Sequence, residues 1–239
     1  MASADERRAT VPPLPPAPGR APTLEDVKRD REVDAYVTKA DEYTRAIGYT
    51  EHGTRHAGLV ASIAGNVLRR LSRDERATQL ASIAGYLHDI GNVVGRVHHE
   101  HTGAVLAGRI LGRLGMDPVE MAVIMGAIGN HEEQTGEAVS EVGAALILSD
   151  KSDVHRTRVL NPDPATYDIH DRVNHAVEHS FLRVDEGART ITLELTIDTK
   201  LSQVMEYFEI FLPRMVMCRH AAKLLGCEFK LQINGTKLL

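Results

Sequence analysis

Between Ala57 and Leu148 the apolar residues recur at the spacing of a helix and nowhere at that of a strand, and the runs are separated by histidines and carboxylates. Ala57, Val60, Ala61, Ala64, Val67, Leu68 and Leu71 fall on one face of a helix expected to begin near Glu51 or His52. Ala77, Leu80, Ala81, Ala84 and Leu87 mark a second, beginning at Arg73 or Asp74. It delivers His88 and Asp89 to its C-terminal end, where Gly91 is expected to supply a left-handed stop. A third follows His98-His99-Glu100-His101 and reaches about Leu114; Pro118 opens a fourth through Ile128, ahead of Gly129-Asn130-His131-Glu132. Val142 to Leu148 is a buried helical segment ending in Ser149-Asp150-Lys151-Ser152-Asp153. A chain patterned this way folds as a helical bundle, and a bundle can aim residues from several helix ends at one place.

The flanks read differently. Residues 1–22 hold six prolines and almost no large apolar side chains, so they are expected to be a disordered tail. Thr23 is a suitable N-cap for a helix running to Ile47 and ended by Gly48. After Asn161-Pro162-Asp163-Pro164 the pattern changes. A short helix, Ile169 to Ala176, leads into a strand to Val184 and a turn at Asp185-Glu186-Gly187. Ile191, Leu193, Leu195 and Ile197 alternate with polar residues, as do Cys227, Phe229, Leu231 and Ile233, which is the period of half-buried strands. Between them lies a long helix, about Lys200 to Leu225, capped by Asp198, kinked at Pro213, and turning Leu201, Val204, Met205, Phe208, Phe211, Leu212, Met215 and Val216 to a core. The expected architecture is mainly α: a helical bundle over 23–160, then a small α+β module over 168–239, an antiparallel sheet with one long helix.

Bulk properties exclude several classes. The net charge of −5 gives no global basic footprint, and no strand is both basic and studded with aromatics, so no nucleic-acid partner is expected. No apolar run approaches the roughly 20 residues that span a bilayer, and residues 1–8 lack the apolar stretch of a secretory signal. Cys218 and Cys227 suit buried thiols in a reducing compartment. The expectation is a soluble cytoplasmic protein.

Eight of the twelve histidines lie between His52 and His155. Taking the polar residue that closes each apolar segment collects His56, His88 with Asp89, His99, His131 and Asp150. These nitrogen and oxygen donors suit Mn²⁺ or Fe²⁺, with Mg²⁺, Ni²⁺ or Zn²⁺ as further candidates, whereas a closed zinc site usually draws on thiolates. His98, His101, His155, His170, His175, His179 and His220 read as helix-end caps and surface residues.

The order His56, then His88-Asp89, then Asp150, with Tyr86-Leu87-His88-Asp89-Ile90-Gly91 around the pair, resembles the HD superfamily of metal-dependent phosphohydrolases in its HDIG variant, over about residues 35 to 158. His99-Glu100-His101-Thr102-Gly103-Ala104 and Asn130-His131-Glu132 are similar to two further motifs of the HD-GYP branch. The resemblance implies two divalent metal ions. By it His56, His88, Asp89 and Asp150 bind the first, Asp89 bridges and is the catalytic residue, and His99 and His131 bind the second. It further implies hydrolysis of a phosphate ester, in a nucleotide or cyclic dinucleotide, by water activated between the ions.

The chain departs from that branch at Asn92, where the branch has lysine, at Asn130, where it has histidine, and in lacking the glycine-tyrosine-proline segment; these departures argue against cyclic di-GMP. His52 stands where some trinuclear members carry a glutamate. Lys151 and Arg156, with Arg158, are candidate cations for substrate phosphates. The alternative reading is a regulatory or scaffolding protein that binds metal or nucleotide without turnover and forms a homodimer through its C-terminal module, where Glu206-Tyr207-Phe208-Glu209-Ile210-Phe211-Leu212 is strongly apolar.

Overall fold

A computed structural model describes residues 20–238; residues 1–19 of the expected tail lie outside the described residues. The chain enters through α1 (Leu24–Arg29), where Thr23 and Asp26 form a reciprocal capping box. The single helix expected to reach Ile47 is broken at Asp30, whose extended backbone (ψ 122°) ends α1. Its carboxylate accepts from Glu32 N–H at 3.1 Å and Val33 N–H at 3.2 Å, which caps α2 (Arg31–Ala46).

Two helices carry the first core layer. Helix α3 (Thr54–Arg70) is capped by Gly53, so it starts later than Glu51 or His52, and α4 (Glu75–Leu87) is capped by the Asp74 side chain. They cross closely because both faces are small: a Cβ added at Gly85 would stand 2.9 Å from the Ala61 backbone. A short 3-10 turn (Ile90–Val93) connects to α5 (His99–Arg113), then α6 (Pro118–Gly129) and α7 (Glu141–Ser152). Every residue of α7 from Val142 to Ser152 is buried, which is the burial of a helix surrounded on all sides.

The second part holds α8 (Ile169–Ala176), β1 (Val177–Asp185), β2 (Thr190–Ile197), α9 (Val204–Leu224), β3 (Glu228–Ile233) and β4 (Thr236–Lys237). The sheet runs in the order β1-β2-β3-β4. It is mixed, not wholly antiparallel as expected: β2 and β3 are parallel, with Leu193 opposite Leu231. The reason is α9, which carries the chain from the end of β2 back to the start of β3, the connection a parallel pair requires. Helix α9 begins after the expected cap at Asp198, with Glu206 accepting from Gln203 N–H at 3.2 Å. Its buried face is Tyr207, Phe211, Met215 and Cys218, whereas Met205 and Leu212, placed in the core by the sequence reading, are more than half exposed. One apolar cluster runs from Val27 to Ile233, so the bundle and the α+β part share a core. Among the described residues no helix is long and apolar enough to cross a membrane.

Candidate metal centre

His56 lies in the first turn of α3, His88 and Asp89 directly after α4, His99 at the start of α5, His131 just past α6, and Asp150 in the last turn of α7. Five helix ends thus supply six side chains to one pocket, and its four imidazoles are at most 2% exposed.

The donor atoms form two groups. His56 Nε2 and His88 Nε2 are 3.2 Å apart. Asp89 Oδ2 lies 3.6 Å and 3.2 Å from these two nitrogens, and Asp150 Oδ1 lies 3.4 Å and 3.6 Å from them. In the second group His99 Nε2 stands 3.3 Å from His131 Nε2, 3.2 Å from Asp89 Oδ1 and 3.7 Å from Glu132 Oε2. Asp89 therefore gives one oxygen to each group. Ligands held about 2.1 Å from a common ion stand roughly 3.0–3.4 Å apart, so both groups have the spacing of ligand sets before any adjustment.

The outer nitrogens fix which lone pairs face inward. His56 Nδ1 meets Asp153 Oδ2 at 2.7 Å, His88 Nδ1 the Gly85 carbonyl at 2.9 Å, His99 Nδ1 the Arg96 carbonyl at 3.1 Å and His131 Nδ1 the Ile128 carbonyl at 2.6 Å. Each Nδ1 faces an oxygen acceptor and so carries the proton. In the neutral rings this leaves all four Nε2 atoms as acceptors turned toward the cluster, as metal-ligating histidines require. Asp153→Ala is expected to weaken metal binding about 10- to 100-fold by releasing the His56 ring. A metal titration checks this; unchanged affinity would mean that Asp153 serves only Arg55, which it also holds at 2.9 Å.

Electrostatics match. Burial opposes ionisation of Asp89, yet His88 and His99 hold its carboxyl well below the usual range; Lys151, His56 and His88 do the same for Asp150. Burial would lower His88, but Asp89 and Asp150 lift it to about 10, while burial and the charge of His88 push His131 down to about 3. The first group concentrates enough negative charge to hold a proton on His88 even with the Lys151 ammonium beside Asp150.

Gly91 acts otherwise than expected. It sits in the 3-10 turn without a left-handed backbone, and its role is closeness: a Cβ there would fall 1.9 Å from the His99 carbonyl oxygen and 2.5 Å from Gly103 N. Glycine is what allows α5 to lie against the turn that carries Asp89. Asn92 donates to Asp89 Oδ1 at 3.1 Å, so it steadies the carboxylate shared by the two groups. Asn130 donates back to the Gly126 carbonyl at 2.9 Å and takes no part in the cluster.

The family model of the HD domain matches residues 53–197. The chain belongs to the HD domain family, a family of metal-dependent hydrolases. Among solved structures it is similar to the crystal structure of a predicted HD superfamily hydrolase from an uncultured Thermotogales bacterium, at 27% identity over 52% of this chain and 68% of that one, with a TM-score of 0.41. No curated protein matches.

Of the three cations offered to substrate phosphates by the sequence reading, Lys151 and Arg156 are already paired within this HD domain. Lys151 is buried, its ammonium taken by Asp150 at 2.8 Å and Glu133 at 2.9 Å, and Arg156 pairs with Glu178 at 3.0 Å on the surface. The structure brings in residues the sequence reading passed over. Glu132 joins the second group; its adjacency to His131 is the one local sign of it. Arg96 reaches that group too, with Nη1 3.0 Å from His99 Nε2 and Nη2 3.4 Å from Glu132. Asp153 carried no sequence signal, since its partner His56 lies 97 residues away.

Proposed function

We propose that the chain is a metal-dependent phosphohydrolase acting on a nucleotide or cyclic dinucleotide, with His56, His88, Asp89 and Asp150 holding one divalent ion and His99, His131 and Asp89 a second. The observation that carries this reading is the division of Asp89, with Oδ2 among the first group of donors and Oδ1 among the second. Bound there, two ions would polarise a phosphate ester and supply a nucleophilic water near neutral pH. The residues do the rest. Asp89 fixes the distance between the groups and Asn92 fixes Asp89. Asp153 and the three backbone carbonyls keep the imidazoles in their ligating tautomer. Glu132 adds an oxygen donor on the side of Arg96. The donor chemistry favours Mn²⁺ or Fe²⁺.

The test is metal content by elemental analysis, followed by a panel of nucleoside phosphates and cyclic dinucleotides with Mn²⁺. Two equivalents of metal and turnover abolished by chelation are expected. Binding of the first ion should also weaken as pH falls, because the proton His88 holds up to about 10 must leave for Nε2 to ligate. One equivalent would argue against the second ion, and metal-loaded protein inert on the whole panel would sink the hydrolase reading.

A further inference from the structure

Beside the cluster lies a cavity of about 340 Å³. It is contiguous with the ligands: His52, whose ring is 5.7 Å from that of His56, lines it, as does Arg96, which touches His99. Three arginines from separate parts of the fold line it: Arg96 before α5, Arg158 after α7, and Arg214 on α9.

Arg214 is held like a clamp. Its guanidinium lies over the Phe211 ring at 4.5 Å, and its Nε donates to Glu133 at 2.6 Å. Among the described residues its two terminal nitrogens have no hydrogen-bond partner. Glu133 in turn binds Lys151, and Lys151 binds Asp150, so α9 is tied through three ion pairs to a candidate ligand of the first group. Arg158 is 4% exposed, gives its terminal nitrogens to the Asp153 and Glu51 carbonyls, and keeps a buried Nε without a partner. The Arg214 side chain is about a quarter exposed, so its terminal nitrogens can donate to a ligand that enters the cavity. A guanidinium fork fixed by stacking matches the oxygens of a phosphate.

The lining also carries negative charge. Asp168 and Asp171 line the cavity from α8, where carboxylates can accept from hydroxyl or amino groups. Tyr49, beneath the Arg96 guanidinium at 5.3 Å, and Phe211 add aromatic surface. The cavity thus presents cationic, aromatic and acidic side chains together. Its volume stands at the low end of the roughly 300–1,000 Å³ usual for ligand sites.

We propose that Arg214 binds the phosphate of the substrate, so that the α+β part completes the active site, and that the occupant is a single nucleoside phosphate and not a cyclic dinucleotide. This deepens the phosphohydrolase reading and rests on it. The long helix of the C-terminal part then has its reason in the site: it brings a fork from residue 214 to a cluster that ends at residue 150.

Calorimetric titration of inorganic phosphate, adenosine 5′-monophosphate and a cyclic dinucleotide into the metal-loaded full chain tests it, alongside metal content and melting temperature. Arg214→Ala should bind phosphate and the mononucleotide about 10- to 100-fold more weakly, with its metal content unchanged. Arg214→Lys, which keeps the charge and loses the fork, should fall between. Arg183→Ala, on the exposed face of β1 and paired with Glu194, should bind like the wild type. If the alanine variant does not fold, the lysine variant decides alone. Wild-type phosphate affinity in the lysine and alanine variants, weakened binding that only follows lost metal, or a cyclic dinucleotide bound as tightly as the mononucleotide would each overturn the proposal. Turnover is a separate readout. Phosphate binding that depends on Arg214 in a protein that hydrolyses nothing would refute the hydrolase reading and leave the pocket standing.

Discussion

Asp89→Ala is expected to remove bound metal and hydrolysis together, with turnover falling on the order of 10³-fold or more. The size follows from position. Among the described residues Asp89 is the one whose two oxygens reach both donor groups, 3.2 Å from His88 Nε2 on one side and 3.2 Å from His99 Nε2 on the other. Losing any terminal imidazole leaves three donors around an ion and the other ion intact, whereas losing Asp89 takes a ligand from each and the link between them. The variant should remain folded when metal is absent, because Asp150, 3.6 Å from His88 Nε2, still offsets the charge of that ring. Elemental analysis and initial rates on the purified variant check this. Full metal content with wild-type turnover would show that the cluster is not the catalytic centre.

Gly91→Ala should cost about 3 kcal/mol or more of stability, a large effect for one methyl group. The methyl has no direction in which to relax: its nearest neighbours are the His99 carbonyl oxygen at 1.9 Å, Gly103 N at 2.5 Å and the His99 carbonyl carbon at 2.9 Å, all backbone of α5. To admit it, α5 must move away from the 3-10 turn, and His99 moves with it. Loss of the second ion is therefore expected to accompany the lower melting temperature. Gly58→Ala is the matched control. Gly58 is also helical, but a Cβ there meets nothing within 4 Å, so that substitution should be neutral or stabilising by up to about 1 kcal/mol. Equal melting temperatures for the two variants would remove the steric account of the glycine in this motif.

The sequence by itself determined the helices and put forward six candidate donors for the site. Helical periodicity survives wherever one face of a helix must stay apolar, so α3 to α7 were legible in Ala57, Leu80, Ala104, Ile124 and Leu146 and their neighbours. The six donors were legible because imidazole and carboxylate at successive helix ends are costly to bury without a shared purpose, and all six are buried. The break at Asp30 was hidden in a run of charge, where a capping aspartate resembles any other surface acid.

Tertiary structure decided the rest. Alternation in β2 and β3 fixed which side chains face the core, but their parallel pairing came from the path of α9 over the sheet, which periodicity does not encode. The register of α9 was settled in the same way, by the sheet and α7 selecting Tyr207, Phe211 and Met215 over Met205 and Leu212. Orientation within the metal centre depends on contacts between residues far apart in the chain, such as His56 with Asp153 and Arg214 with Glu133, 97 and 81 residues apart. A ligand can be recognised by its own chemistry. A residue that aims it is recognised only by what it touches, and contact exists only once the helices have packed.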